Sequence, residues 1–88
     1  MLRIEQAARR AQQFLGEEAG SGEVPLALVE TERAQVGGVF YFGCQSAAYL
    51  RSGDFRDMAI GVGYVAVDGE TGKCRMLGAA ESAELDLF

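Results

Sequence analysis

The sequence predicts an α+β fold: an N-terminal amphipathic helix packed on a mostly antiparallel sheet of about four strands, with a short C-terminal helical turn. Three observations carry this. Apolar residues recur with a 3.6-residue period over the first fifteen positions, the period changes to two from Val24 onward, and Asp68-Gly69-Glu70-Thr71-Gly72 is a hairpin signal between two apolar runs.

In the first segment Ile4, Ala7, Ala8, Ala11, Phe14 and Leu15 form one stripe of a helix, with Glu5, Gln6, Arg9, Arg10, Gln12 and Gln13 on the other face. Glu5 and Arg9 are spaced and oriented for an i,i+4 ion pair. Three alanines in the stripe let the helix approach whatever it covers. Gly16 or Gly20 offers a stop, and Gly20-Ser21-Gly22 reads as a loop. Leu26 and Leu28 then alternate with Ala27 and Val29, and Pro25 suits the start of an edge strand. Glu30-Thr31-Glu32-Arg33 reads as a polar turn.

Gly37-Gly38 leads into Val39-Phe40-Tyr41-Phe42-Gly43-Cys44, the most β-prone stretch of the chain. Phe40, Phe42 and Cys44 share the face expected to meet the helix, which leaves Val39 and Tyr41 on the other. Alternation stops at Gln45–Leu50, a short helical turn that Ser46 can cap, closed by Ser52-Gly53-Asp54. A third strand spans Val62 to Val67, with Gly61 and Gly63 marking a bulge or a close backbone approach at its start, and a fourth spans Lys73 to Leu77. In the hairpin between them, Asp68 can cap the turn and a glycine supplies its left-handed residue. The tail ends in a helical turn expected to pack Leu85 and Phe88.

Eighty-eight residues, 49% of them hydrophobic, make one globular domain over 1–88. No apolar run approaches the roughly 18 residues of a membrane span, and the N-terminus lacks the charged-then-apolar pattern of a secretory signal, so a cytoplasmic protein with no membrane contact is expected. A net charge of −5 argues against nucleic acid as a partner, because gripping phosphates needs a basic face.

The chain contains no histidine. That removes a His-based general base and a Cys–His nucleophile, and Cys44 and Cys74 alone cannot supply the four ligands of structural zinc. The two cysteines are expected as reduced, buried thiols. Asp54 and Asp57 are explained as well by capping as by catalysis, and Gly61-x-Gly63 precedes a strand rather than the helix a nucleotide fingerprint requires. No catalytic residue, cofactor or metal is therefore expected.

The stretch from Val39 to Asp54, with its aromatic strand followed by Gln45-Ser46, Tyr49-Leu50 and Ser52-Gly53-Asp54, resembles the signature of the bacterial immunity protein 35 family. Gly61-Val62-Gly63-Tyr64 running into Val65-Ala66-Val67-Asp68, then Glu70-Thr71-Gly72 and Leu77-Gly78, is similar to the family's second block. Gly38 stands where members often carry a tryptophan. The resemblance implies a cytosolic antidote of a polymorphic toxin system, encoded beside a toxin and acting by binding it; papain-like peptidase domains are among the toxins linked to such proteins.

A binding protein needs a complementary surface. Residues 16–32 carry −5 and residues 61–88 carry −3, whereas 1–15 and 33–60 are slightly positive. Acidic residues such as Glu30 and Glu32 can steer into a basic cleft. Gln45, Tyr49 and Arg51 suit polar and aromatic contacts, and Tyr41 with Tyr64 suits an apolar patch on the open sheet face. The same face would also serve a chaperone-like binding domain, a self-associating structural module or a homodimer.

Overall fold

The computed structural model describes residues 1–17, 26–58, 62–85 and 87. Helix α1 (Ile4–Glu17) is followed by strands β1 (Leu26–Val36) and β2 (Val39–Ser46), helix α2 (Ala47–Ser52), a single 3-10 turn (Phe55–Asp57), strands β3 (Val62–Asp68) and β4 (Cys74–Gly78), and helix α3 (Ala79–Leu85). The four strands form one antiparallel sheet in the order β1-β2-β3-β4. The predicted α+β architecture is present, with both helical ends in place.

Gln6 opens α1 by reaching back to accept the Arg3 N–H at 2.8 Å, the half of a capping box that satisfies a free backbone donor. Its stripe faces inward: Ala7, Ala11 and Leu15 are buried, and Ile4, Ala8 and Phe14 half-buried. They meet Phe40, Phe42 and Cys44 of β2 and Val65 and Val67 of β3, which form the core. Gln12 ties the helix to the first strand by accepting the Leu28 N–H. The spacing of Glu5 and Arg9 is not used for an ion pair. The possible stop at Gly20, the loop Gly20–Gly22, Pro25, Gly61 and Phe88 lie outside the described residues.

Strand β1 is longer than its polarity suggests. Glu30–Arg33 is strand rather than turn, and the reversal to β2 is made by Gly37-Gly38, with Val36 opposite Val39 and Gly37 at φ 60°. A positive φ at the first central residue of a two-residue loop is the requirement of a type II′ hairpin. Between the Leu28–Cys44 and Arg33–Phe42 pairs, β1 spends five steps against two on β2, so three extra residues are absorbed in a bulge. That bulge is why the hydrophobic alternation breaks at Glu30. The Glu32 side chain folds over Gly43, where a Cβ would stand 2.7 Å from Glu32 Cβ.

The β3–β4 hairpin follows the predicted turn chemistry. Asp68 Oδ1 accepts the N–H groups of Glu70 (2.8 Å) and Thr71 (3.2 Å), and Gly72 takes the left-handed conformation at φ 77°. The two hairpin ends are joined, since the Gly69 N–H donates to the Gly38 carbonyl at 2.8 Å.

At the opposite end, β2 and β4 each run directly into a short helix. Ser46 caps α2, accepting the Tyr49 N–H at 3.3 Å, and Gly53 closes it at φ 70°. Helix α3 is fastened by Ser82, which is buried and whose Oγ accepts the Tyr64 N–H at 2.9 Å. Leu85 is 37% exposed rather than packed, so a hydroxyl and not an apolar side chain is the anchor. A one-residue bulge in β3, where Val62 pairs Gly78 and Val65 pairs Met76, opens the site for that hydroxyl at Gly63.

Neither cysteine is in a disulfide; Cys44 is buried, whereas Cys74 is only half-buried. Cys44 Sγ donates to the Gly63 carbonyl at 3.2 Å. Burial, followed by the Glu32 carboxylate, pushes its thiol up to about 11.

Two outcomes follow from this packing. A Cβ at Gly63 would lie 2.8 Å from the Gly78 carbonyl and 2.6 Å from Ser82 Oγ, whereas one at Gly37 meets nothing within 4 Å. Gly63→Ala should therefore lose about 1–3 kcal/mol in urea unfolding through overpacking, with Gly37→Ala limited to the roughly 1–2 kcal/mol of its left-handed backbone. A Gly63→Ala variant as stable as the parent would refute the close approach. For Cys44, the folded thiol stays protonated where the unfolded one ionises, so its contribution is complete below pH 9 and is lost as pH rises toward 11. Unfolding measured from pH 8 to 11 should show that decline, flattened in Cys44→Ala; at pH 8 a thiol reagent should label Cys74 well before Cys44.

Candidate functional site

One face of the sheet is closed by α1, and the other is only partly covered. Strand alternation puts Val39, Tyr41, Gly43 and Gln45 on this second face, opposite the buried Phe40, Phe42 and Cys44. Tyr41 pairs with Ala66, and Ala66 with Arg75; Val39 pairs with Asp68. Leu77, two residues beyond Arg75 on the same face, is 2% exposed and stands outside the core under α1. Helix α3 lies beside it, so α3 roofs one corner of the second face and leaves the rest open.

The open part holds two shallow grooves that meet at Tyr41. One, of about 400 Å³, runs past Val39, Ala66, Asp68, Lys73 and Arg75. The other, of about 370 Å³, runs past Arg75 and Leu77 to Glu81, Glu84 and Leu85 of α3. Arg75 bridges them, its guanidinium 3.4 Å from Glu81 in an exposed pair that solvent screens heavily. The floor is thus aromatic and aliphatic and the rim carries both signs of charge, the composition of a protein-binding surface with an apolar centre and a polar border.

Of the residues expected at the site, Tyr41 sits at the centre of this face. Gln45 lies on the same face at the end of β2, its Oε1 accepting the Ser46 N–H at 2.8 Å. Alternation from Ala66 puts Tyr64 there too, half-buried beside the Ser82 anchor. Glu32, folded over Gly43, reaches the face between Tyr41 and Gln45. These four are brought together by the β1 bulge and the β2–β3 pairing.

The other three stand apart. Glu30 is exposed on the bulge, where its carbonyl accepts Arg33 Nε at 3.1 Å. Tyr49 and Arg51 belong to α2, beyond the end of the sheet. Much of the acidic 16–32 segment lies outside the described residues.

Four further residues at the surface escape sequence pattern. Lys73 and Arg75 reach the groove only through strand register. Leu50 of α2 and Phe55 of the 3-10 turn are 43% and 78% exposed. The one signal for Phe55 is an aromatic isolated among charges in Asp54-Phe55-Arg56-Asp57. Asp54 and Asp57 do not converge on a reacting position. Asp54 caps the 3-10 turn and pairs with Arg56 at 2.8 Å, and the Arg56 donors hold its carboxyl below the usual carboxylate range. Asp57 accepts from Ser52 Oγ at 2.8 Å. Among the described residues no group of three or more Cys, Asp or Glu side chains is placed to hold a metal ion, and no helix is long and apolar enough to cross a membrane.

No curated protein and no solved structure matches the chain. The family described as immunity protein 35 matches residues 5–86, a span that takes in nearly all of α1, the whole sheet, both short helices and every residue of the open face named above. An aromatic β2 strand, the Gln-Ser cap of α2 and the glycine-led β3 strand are therefore parts of one matched unit, and the chain belongs to the immunity protein 35 family.

Proposed function

We propose that this protein binds a cognate bacterial toxin in the cytoplasm and blocks it by occlusion, with the open sheet face around Tyr41 as the principal contact. Membership of an immunity family supplies the kind of partner. The observation that supports the face is the Tyr41 groove itself, an aliphatic and aromatic floor left uncovered in a domain small enough that each apolar side chain matters to its stability. Tyr41, Tyr64 and Gln45 offer two phenol rings and an amide on one rigid strand pair, and rigid aromatic contacts lose little entropy on binding.

Glu32 and Glu30 add negative charge along one border. Opposite potentials across an interface raise the rate of encounter more than the final affinity, so a toxin with a basic cleft, a papain-like peptidase among the candidates, would be captured faster by this border. The proposed action is coverage of a working surface, without a cofactor or a chemical step.

The test is co-expression with the product of the adjacent reading frame. Cells making that product should survive only with this protein, and the purified pair should form a one-to-one complex with nanomolar Kd. Tyr41→Ala should weaken binding at least tenfold while leaving the melting temperature within a few degrees of the parent. Reversal of Glu30 and Glu32 to lysine should lower the association rate and flatten its salt dependence. Weak binding to many unfolded chains with suppression of their aggregation would favour a chaperone-like domain, and a stable dimer that the toxin does not disturb would favour a self-associating module.

A further inference from the structure

At the end of the sheet where α2 begins, Phe55 stands 78% exposed, with Leu50 at 43% and Met58 at 39% beside it in the chain. Scattered exposed apolar residues are ordinary. This group differs in being held in place. Ser46 caps the helix that precedes it, and Gly53, in the left-handed conformation, donates its N–H to the Tyr49 carbonyl at 2.7 Å. Asp54 accepts the Arg56 N–H at 3.0 Å and clamps its guanidinium, while Ser52 donates to Asp57. The Phe55 ring leans on Tyr49, centroids 6.4 Å apart. Every short-range bond in the segment fixes a turn whose outermost feature is an aromatic ring in water.

Helix α2 also borders an apolar groove of about 560 Å³, lined by Ala27, Ala47, Ala48, Leu50 and Arg51. Arg56 is neutralised by Asp54, but Arg51 faces no carboxylate among the described residues. The groove continues the open sheet face, because Ala27 pairs with Gln45, which shares that face with Tyr41. Three exposed apolar side chains amount to on the order of a few hundred Å², short of the roughly 800 Å² that each side of a stable interface buries. Two copies meeting at this point alone would not hold together. A partner that also covers the Tyr41 face would reach that area.

We propose that this end of the molecule is a second contact for the toxin: Phe55 enters an apolar pocket on the partner, the alanine-lined groove receives an apolar side chain from it, and Arg51 meets a carboxylate at the pocket's rim. The inference rests on the toxin-binding reading above and extends it to residues off the sheet. A ring already fixed in its projecting position forfeits little freedom on docking, which is what makes an anchor.

Calorimetric titration of the full chain with the adjacent reading frame's product tests it. Phe55→Ala should weaken binding about thirtyfold or more with an unchanged melting temperature, since the ring is mostly in water; Arg51→Glu should weaken it about tenfold. Amides of residues 49–58 should exchange more slowly in the wild-type complex, a readout that needs no variant to fold. Phe55→Ala binding within threefold of the parent, or exchange at 49–58 unchanged, overturns this contact and leaves the toxin reading standing. A wild-type chain that does not bind the product overturns both. A dimer of the free protein dispersed by Phe55→Ala overturns the choice of partner, giving the surface to a second copy.

Discussion

A sheet has two faces, and among the described residues one long helix is there to cover them. Everything else in the structure adjusts to that shortage. Helix α1 closes the first face by using Ala7 and Ala11 to come close and Leu15 to fill the gap, so that Phe40, Phe42, Val65 and Val67 are sealed. The second face receives α3 at one corner, over Leu77, and the alternating side chains there are consequently of mixed character: Tyr41 and Ala66 beside Asp68, Lys73 and Arg75. An aromatic residue with a polar tip tolerates such a half-wet position where a leucine would expose far more apolar surface.

The short helices are held by close backbone approach and hydroxyl groups rather than by apolar bulk. Ser46 and Ser82 are the two buried polar side chains among the described residues, and each accepts a backbone N–H at a junction of strand and helix. A buried hydroxyl is stable only when bonded, so each serine fixes a geometry instead of merely filling space. Glycine plays the complementary part. Gly43 makes room for Glu32 and Gly63 for Ser82, both without any demand on φ.

Most of the fold was legible because its signals are local. The stripe from Ile4 to Leu15, the Phe40/Phe42 alternation, the Ser46 cap and the Asp68–Gly72 turn each state their structure within a few residues. Glu30–Arg33 did not, because a three-residue bulge on an edge strand removes the alternation that would announce a strand, and four polar residues in a row then imitate a turn. The anchoring of α3 was hidden for a different reason: Ser82 meets the Tyr64 N–H across eighteen positions, and nothing near Ser82 marks it out from Glu81 or Glu84. The open face was legible in its aromatic part. Tyr41 and Tyr64 follow from alternation alone, whereas the gathering of Glu32 with them depends on the bulge, and the exposure of Phe55 depends on how α2 ends.

The bulge in β1 also bears on how the molecule behaves in a crowded cell. An edge strand of eleven residues is long enough to recruit a strand from another chain and begin a stacked assembly. Here the run of backbone donors and acceptors is broken at its middle, and Glu30, Glu32 and Arg33 stand at the break. A foreign strand that zips along Leu26–Val29 loses its register before it reaches Gln35. The irregularity that tucks a glutamate onto the open face thus also guards a small, sparsely covered domain against growing into fibres.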